Sequence, residues 1–207
     1  MLQEAALAPS LNRQQAVERS WANLVGPGTL LTSAERHQVI RDARAGWAGA
    51  NLPNPATGVM GEAAHWLAVD AEGLTAEIVE DFETLGLDRL RYLEIVGVVA
   101  RLSNVDFYVR GIGASELVLS EPSLTAPSGR LHPDAVLTNM WVPTVGHSFA
   151  PHVVDALPDE GEAVRALHEP MYMLMADMGD QAYRDRLTRA QIEYLAARTS
   201  YLNECFY

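Results

Sequence analysis

Two residues near the end of the chain are of the types that thiol chemistry uses. Cys205 is the only cysteine of the 207-residue sequence, and Glu193 precedes it by twelve positions. A thiol reacts as its thiolate, and a carboxylate within reach can accept the thiol proton as a general base. On one straight helix, twelve residues would separate the two backbones by about 18 Å, which is too far for proton transfer. The two side chains therefore meet only if the helix ends near Asn203 and the chain turns back.

A plainer interpretation of the same residues is a buried structural cysteine and a solvated glutamate on a helix surface. Spacing alone favours this interpretation, since lone cysteines are usually buried and glutamates usually exposed. The histidines do not suggest a metal site as an alternative to the thiol site. His147 and His152 lack the i, i+4 spacing of a helical ligand pair and have no thiol beside them, so we expect no metal.

The composition excludes several classes of function. Apolar residues make up 48% of the chain and charged residues 20%, which is typical of a globular protein. The net charge of −12 argues against a nucleic-acid partner and against an anionic membrane surface. All 15 basic residues are arginines, so a Schiff-base lysine and a P-loop lysine are excluded. With no long apolar run, no signal-peptide pattern and a single cysteine, we expect a cytoplasmic protein.

Hydrophobic periodicity predicts an all-α chain. Apolar residues recur at helical spacing in segments at about 11–25, 33–48, 59–69, 76–85, 88–110 and 159–178, and again after residue 188. Pro170 must kink or divide the sixth segment, because proline removes an interior hydrogen bond. The last segment is predicted to turn one apolar face inward, formed by Ile192, Leu195, Ala196, Thr199 and Leu202.

Several carboxylates lie in these segments. The segment 88–110 is apolar almost all round, which predicts burial in the bundle or at a subunit contact. We expect its Glu94 and Asp106 to face a subunit contact with an arginine partner. The acidic cluster at 155–162, which includes Glu160, is expected to be the solvated start of a helix.

The first half of the chain contains what looks like a weaker copy of the last helix. Thr32–Glu35 and Thr188–Gln191 both have the form of a capping box, and they align without a gap. In this alignment His37 stands in the place of Glu193, and Gly49 in the place of Cys205. The match is short, so duplication and chance agreement of two amphipathic helices both stay open.

Residues 187–205, which run from Leu187-Thr-Arg-Ala-Gln-Ile-Glu193 to Asn203-Glu-Cys205, resemble the approach to the active site of the alkylhydroperoxidase D / carboxymuconolactone decarboxylase-like family. The resemblance implies that Glu193 is a proton-relay residue and that Cys205 is the first, resolving thiol of a Cys-x-x-Cys pair. The second, attacking cysteine would follow directly after Tyr207, with a histidine one helical turn later. Without them, we expect the 207-residue chain to be inactive.

The segment from Leu85 to Gly113 also resembles a helix of this family, one that normally comes after the active site. This order implies two tandem helical cores of the alkylhydroperoxidase D-like type. We expect a degenerate core at 1–116, a linker at 117–134 and the start of a second core at 135–207. Circular permutation is the less favoured explanation.

The resemblance further implies a peroxidase-type oxidoreductase that reduces peroxides through a disulfide cycle. Its partners would be a peroxide substrate and a dithiol reductant, it would use no metal and no organic cofactor, and it would form a homo-oligomer. Two alternatives remain: a non-catalytic helical oligomer of the same fold, and a cysteine-independent enzyme similar to carboxymuconolactone decarboxylase.

Overall fold

The computed structural model describes residues 2, 5–138, 141–146 and 152–203. Within these ranges the chain forms α-helices, and β-structure is limited to two isolated bridges, Val136–Thr144 and Arg184–Thr188. The all-α prediction is therefore confirmed. The helices are α1 (Leu11–Val25), α2 (Ser33–Trp47), α3 (Gly58–Val69), α4 (Ala76–Thr84), α5 (Arg89–Gly111), α6 (Pro158–Met171) and α7 (Arg189–Leu202).

Side-chain caps explain where most helices begin. Ser10 accepts a hydrogen bond from the backbone of α1, and Asp88 accepts two from the backbone of α5. Thr32 and Thr188 open α2 and α7 with complete capping boxes, as the sequence predicts. Each cap satisfies amides that the first helical turn leaves without an internal partner.

Pro170 divides the sixth predicted segment. Helix α6 ends at Met171, one residue after the proline, and a short 3-10 turn at Met175–Asp177 follows. The predicted helix over 159–178 is therefore shorter than expected, because the chain does not resume an α-helix after the proline.

Helix α5 is the centre of the molecule. Helices α1, α2, α3 and α6 all pack against it, and α2 and α3 pack closely against each other. Twelve of the residues of α5 are buried, so most of its apolar surface is covered within the chain, although Phe107 is 45% exposed. Of the two predicted locations, burial in the bundle is the one observed.

The long segment 112–157 connects α5 to α6, and the structure describes 112–138, 141–146 and 152–157 of it. Its backbone is fastened to the turn between α1 and α2, where Ser128 N donates to Gly28 O at 2.9 Å and Gly129 N donates to Thr29 O at 2.8 Å. Leu117 and Leu157, near its two ends, are buried in the common core. The predicted linker 117–134 is thus partly bound to the bundle.

Helix α6 contributes to the same core as the first five helices. It packs on α1 and α5, and its Leu167 is buried with their apolar residues. The division into a first core at 1–116 and a second beginning at 135 stays a prediction about the origin of the sequence. In the folded chain, residues 154–167 and the first half form one packing unit.

Helix α7 lies apart from this core. None of its residues is buried, and Leu195 and Leu202 are 53% and 63% exposed. The predicted apolar face of this helix is therefore not buried in the described chain. Periodicity identifies an apolar face, but it does not say whether another part of the chain covers that face. Within the described ranges, no helix is both long and apolar enough to cross a membrane.

Candidate functional site

The carboxylate of Glu193 lies on the second turn of α7 and is about half exposed. Its Oε1 accepts a hydrogen bond from Arg189 Nε at 2.6 Å and another from the Tyr172 hydroxyl at 3.1 Å. Within the described residues both bonds fall on Oε1, which leaves Oε2 able to accept a proton. Arg189 also reaches the carbonyl oxygens of Asp177 and Asp180, each at 3.4 Å. This arginine therefore fixes the carboxylate relative to the segment between α6 and α7.

Tyr172 is a member of this group that sequence reasoning missed. Burial, together with the hydrogen bond to Glu193 and the negative charge of that residue, raises the pKa of the Tyr172 phenol above its usual value. Arg189 opposes the shift. The phenol is therefore protonated at neutral pH and acts as a donor to Glu193. Its pairing with Glu193 depends on the chain reversal after Pro170, which no local pattern indicates.

Cys205, the second predicted site residue, lies outside the described residues. Of the two conditions that the sequence sets for its approach to Glu193, the end of the helix near Asn203 is observed, and the turn back of the chain lies outside the described residues. Helix α7 ends at Leu202, and the amide of Asn203 caps it by donating to Thr199 O at 3.0 Å. Contact between Glu193 and Cys205 stays a prediction.

A cavity of about 710 Å³ lies between α7, the end of α6 and the start of α1. Tyr172 lines it, so the hydrogen-bond donor of Glu193 is part of the cavity wall. A second cavity of about 530 Å³ shares four of the same residues and extends towards the 3-10 turn. The larger cavity is lined by Arg13, Met171, Tyr172, Asp185, Arg186, Leu187, Ile192, Leu195, Ala196 and Thr199.

A second group of charged side chains is buried in the centre of the bundle. Arg36 of α2 donates to Glu94 Oε1 of α5 through Nε at 2.9 Å and through Nη2 at 2.7 Å. The other oxygen of Glu94 accepts the amides of Leu30 and Leu31 at 2.6 Å and 3.2 Å. Four donors thus satisfy one buried carboxylate, and they tie α5 to the turn before α2.

Glu160 at the start of α6 completes this buried network. Its Oε1 accepts a hydrogen bond from Arg36 Nη2, and its Oε2 accepts one from Arg101 Nη2 at 2.6 Å. Arg101 also donates to Asn23 Oδ1 at 2.6 Å, and Arg36 donates to the carbonyl of the same residue at 3.1 Å. The network therefore joins α1, α2, α5 and α6 through two arginines and two glutamates.

Burial and pairing act in opposite directions on the pKa values of this network. For Glu160, burial disfavours the charged form, but Arg101 and Arg36 lower its pKa below the usual value. For Glu94, burial together with the negative charge of Glu160 raises the pKa, against the opposing effect of Arg36. The four charged side chains are at most 2% exposed. No substrate can reach them, and we assign the network a structural role.

The ion pairs of α5 and α6 correct two predictions from the sequence. Glu94 and Asp106 have arginine partners as expected, but the partners belong to the same chain: Arg36 for Glu94, and Arg44 at 2.7 Å for Asp106. Glu160 is not part of a solvated helix start, because α6 turns it inward between two arginines. Both errors arise because these pairs join residues more than 55 positions apart.

Gly28 is the one local sign of the network in the sequence around Arg36. From the sequence, the Gly26-Pro27-Gly28 run predicts only a helix end. In the structure, a Cβ atom on Gly28 would collide with the side chains of Glu94 and Arg36. Glycine is needed here because the backbone passes directly over the ion pair.

Among the described residues, no group of three or more histidine, cysteine, aspartate or glutamate side chains is arranged to hold a metal ion. Comparison of the chain with protein-family models, with curated proteins and with solved structures finds no match.

Proposed function

We propose that this chain is a thiol-dependent peroxidase-like protein with an alkylhydroperoxidase D-like helical fold, in which Glu193 relays protons and Cys205 is the resolving thiol. The observation that carries the proposal is the arrangement of Glu193. Tyr172 and Arg189 hold one of its oxygens, the other oxygen is available to a proton, and its helix ends at the residue where the chain must turn back.

The proposed cycle balances with a peroxide and a dithiol. The attacking cysteine, which the resemblance places after Tyr207, reacts as its thiolate, and its sulfur takes the terminal hydroxyl of the peroxide to become a sulfenic acid. The O–O bond breaks, and the alkoxide leaves as an alcohol after taking up the proton that the attacking thiol released. The thiolate of Cys205 then attacks the sulfenic sulfur, water leaves, and a disulfide forms. Glu193 accepts the thiol proton of Cys205 and passes it to the departing oxygen. A dithiol reductant restores both thiols by exchange.

The first test concerns Glu193 and the reactivity of Cys205. General-base catalysis typically contributes about 10²–10⁴-fold. We therefore expect Glu193→Gln to slow alkylation of Cys205 by iodoacetamide at pH 7 at least tenfold. Glu162→Gln, which removes an exposed carboxylate on α6, is the matched control and should leave the rate unchanged. Equal alkylation rates in the wild-type protein and Glu193→Gln would exclude the proton-relay role.

A second test concerns the attacking thiol. The parent gene is expected to encode cysteine directly after Tyr207 and histidine soon after it. The protein that includes them should consume alkyl hydroperoxide with a dithiol reductant, and Cys205→Ser should stop turnover after one equivalent. Any other residue in the first position refutes the disulfide cycle.

The uncovered apolar face of α7 favours a second candidate, a non-catalytic helical oligomer. Leu195, Tyr201 and Leu202 are all more than half exposed on this helix. If the protein assembles through this face, replacing Leu195 with arginine should dissociate the oligomer and lower the mass measured by analytical ultracentrifugation. Absence of peroxide turnover in the complete protein, together with this loss of mass, would favour the oligomer over the enzyme.

A further inference from the structure

The cavity between α6 and α7 has the dimensions and the wall of a site for a small molecule. Its volume of about 710 Å³ lies within the range of about 300–1,000 Å³ that is usual for ligand pockets. Its apolar wall comes from the end of α6 and from one face of α7, through Met171, Leu187, Ile192 and Leu195. An apolar wall of this kind favours the alkyl chain of a ligand over water.

Two arginines lie at the same cavity. Arg13 enters from the first turn of α1, where its Nε donates to Pro170 O at 3.3 Å. Arg186 enters from the segment before α7 and is exposed. Within the described residues, neither guanidinium has a carboxylate within 4.0 Å, although Asp185 also lines the cavity. Both arginines therefore retain donors that can bind a carboxylate in a forked geometry.

We propose that this cavity binds an amphipathic monocarboxylate, with its alkyl chain against α7 and its carboxylate between Arg13 and Arg186. The cavity is lined by two arginines and one aspartate, so its net positive charge favours an anionic head group. The cavity volume fits one alkyl chain of medium length, which favours a single ligand molecule over a membrane surface. The site does not depend on thiol chemistry, so it can be tested separately from the function proposed above.

Decanoate is a suitable probe, used below the concentration at which it forms micelles. We expect saturable binding with a stoichiometry of one in isothermal titration calorimetry. Each buried methylene is worth about 0.8 kcal/mol, so octanoate, which is shorter by two methylenes, should bind roughly tenfold more weakly. Decanol has the same chain without the charge and should also bind more weakly than decanoate.

The arginines are tested with a double variant and a matched control. A partly exposed charge pair is worth about 0.2–1 kcal/mol, so Arg13→Gln combined with Arg186→Gln should weaken decanoate binding roughly two- to thirtyfold. Arg184→Gln removes an exposed arginine from the same segment that does not line the cavity, and it should leave decanoate binding unchanged. Circular dichroism spectra that superpose on the wild-type spectrum verify folding.

The apolar wall is tested with Leu195→Asn. This change should weaken the binding of decanoate and decanol alike, since both alkyl chains would contact the same wall. The proposal is overturned if no saturable decanoate binding occurs, if decanol binds as tightly as decanoate, or if the double arginine variant binds decanoate like the wild type. It is also overturned if Leu195→Asn alters only the mass of the protein in ultracentrifugation, because a second copy of the chain would then be the occupant.

Discussion

Replacing Glu160 with glutamine removes the charge that two buried arginines share. Arg101 then has no carboxylate partner, and Arg36 keeps only Glu94. The side chain of Arg101 is 2% exposed, so water cannot replace the lost partner. Its Nε already has no hydrogen-bond partner among the described residues. The variant thus creates an unpaired charge inside a packed core.

The expected cost is large compared with the stability of the whole protein. Removing one partner of a buried ion pair costs about 3–5 kcal/mol, whereas a domain is usually stable by about 5–15 kcal/mol. Glu162→Gln, two residues later on α6, is the matched control. That carboxylate is largely exposed and pairs with Arg130 on the surface, so its loss should cost less than about 1 kcal/mol.

Urea unfolding at pH 7, followed by circular dichroism, measures how far Glu160→Gln and Glu162→Gln each lower the free energy of unfolding. The pH dependence gives a second readout. Because the arginines lower the pKa of Glu160 below its ordinary value of 4.5, the charged glutamate stabilises the fold above that pH. This stabilisation is lost as the pH falls through the lower pKa of the folded state. The advantage of the wild type over the variant should therefore shrink in strong acid.

Equal losses in the free energy of unfolding for Glu160→Gln and Glu162→Gln at pH 7 would refute the expected cost. Such a result would mean that Arg101 finds water or another acceptor when Glu160 loses its charge. The network would then contribute little to holding α6 on the bundle.

Two further predictions concern the helix caps and one surface pair. Thr32→Ala should lower the global free energy of unfolding by about 1 kcal/mol, since α2 is packed in the core. Thr188→Ala should leave this free energy unchanged and only reduce amide protection at the start of α7 in hydrogen exchange. Asp155 is buried enough to disfavour its charge, yet hydrogen bonds from Arg165 and His152 lower its pKa below 3.8. Asp155→Asn should therefore be less stable than the wild type above about pH 4 in urea unfolding. This difference in the free energy of unfolding should vanish as the pH falls through the folded-state pKa of Asp155. Equal effects of the two threonine changes on global unfolding, or a pH-independent effect of Asp155→Asn, would contradict these expectations.

The helices could be predicted from the sequence because their signals are local. Ser10, Thr32, Asp88 and Thr188 mark helix starts within the four residues that each one caps, and Pro170 marks an end. Apolar spacing then gives the length between these marks. Each of these signals requires only residues that are close in the chain.

The partners of the buried charges could not be predicted in the same way. Arg36 and Glu160 are 124 positions apart, and no local sequence pattern around either residue indicates that the two are partners. The environment of Glu193 was missed for a related reason, since Tyr172 reaches it only through the turn after α6. For α7, the sequence correctly indicates an apolar face, but coverage of that face is a property of the assembled molecule.

The packing of α6 on α1 has a consequence for how the protein folds during synthesis. Helix α1 leaves the ribosome first, yet one of its faces is covered by a helix that begins at residue 158. At about 5–20 residues per second, roughly seven to thirty seconds pass between the two. During this interval Arg36 and Arg101 lack Glu160, and the apolar side of α1 is open to other nascent chains. We therefore expect chaperone binding to peak before α6 emerges and to fall once α6 has docked.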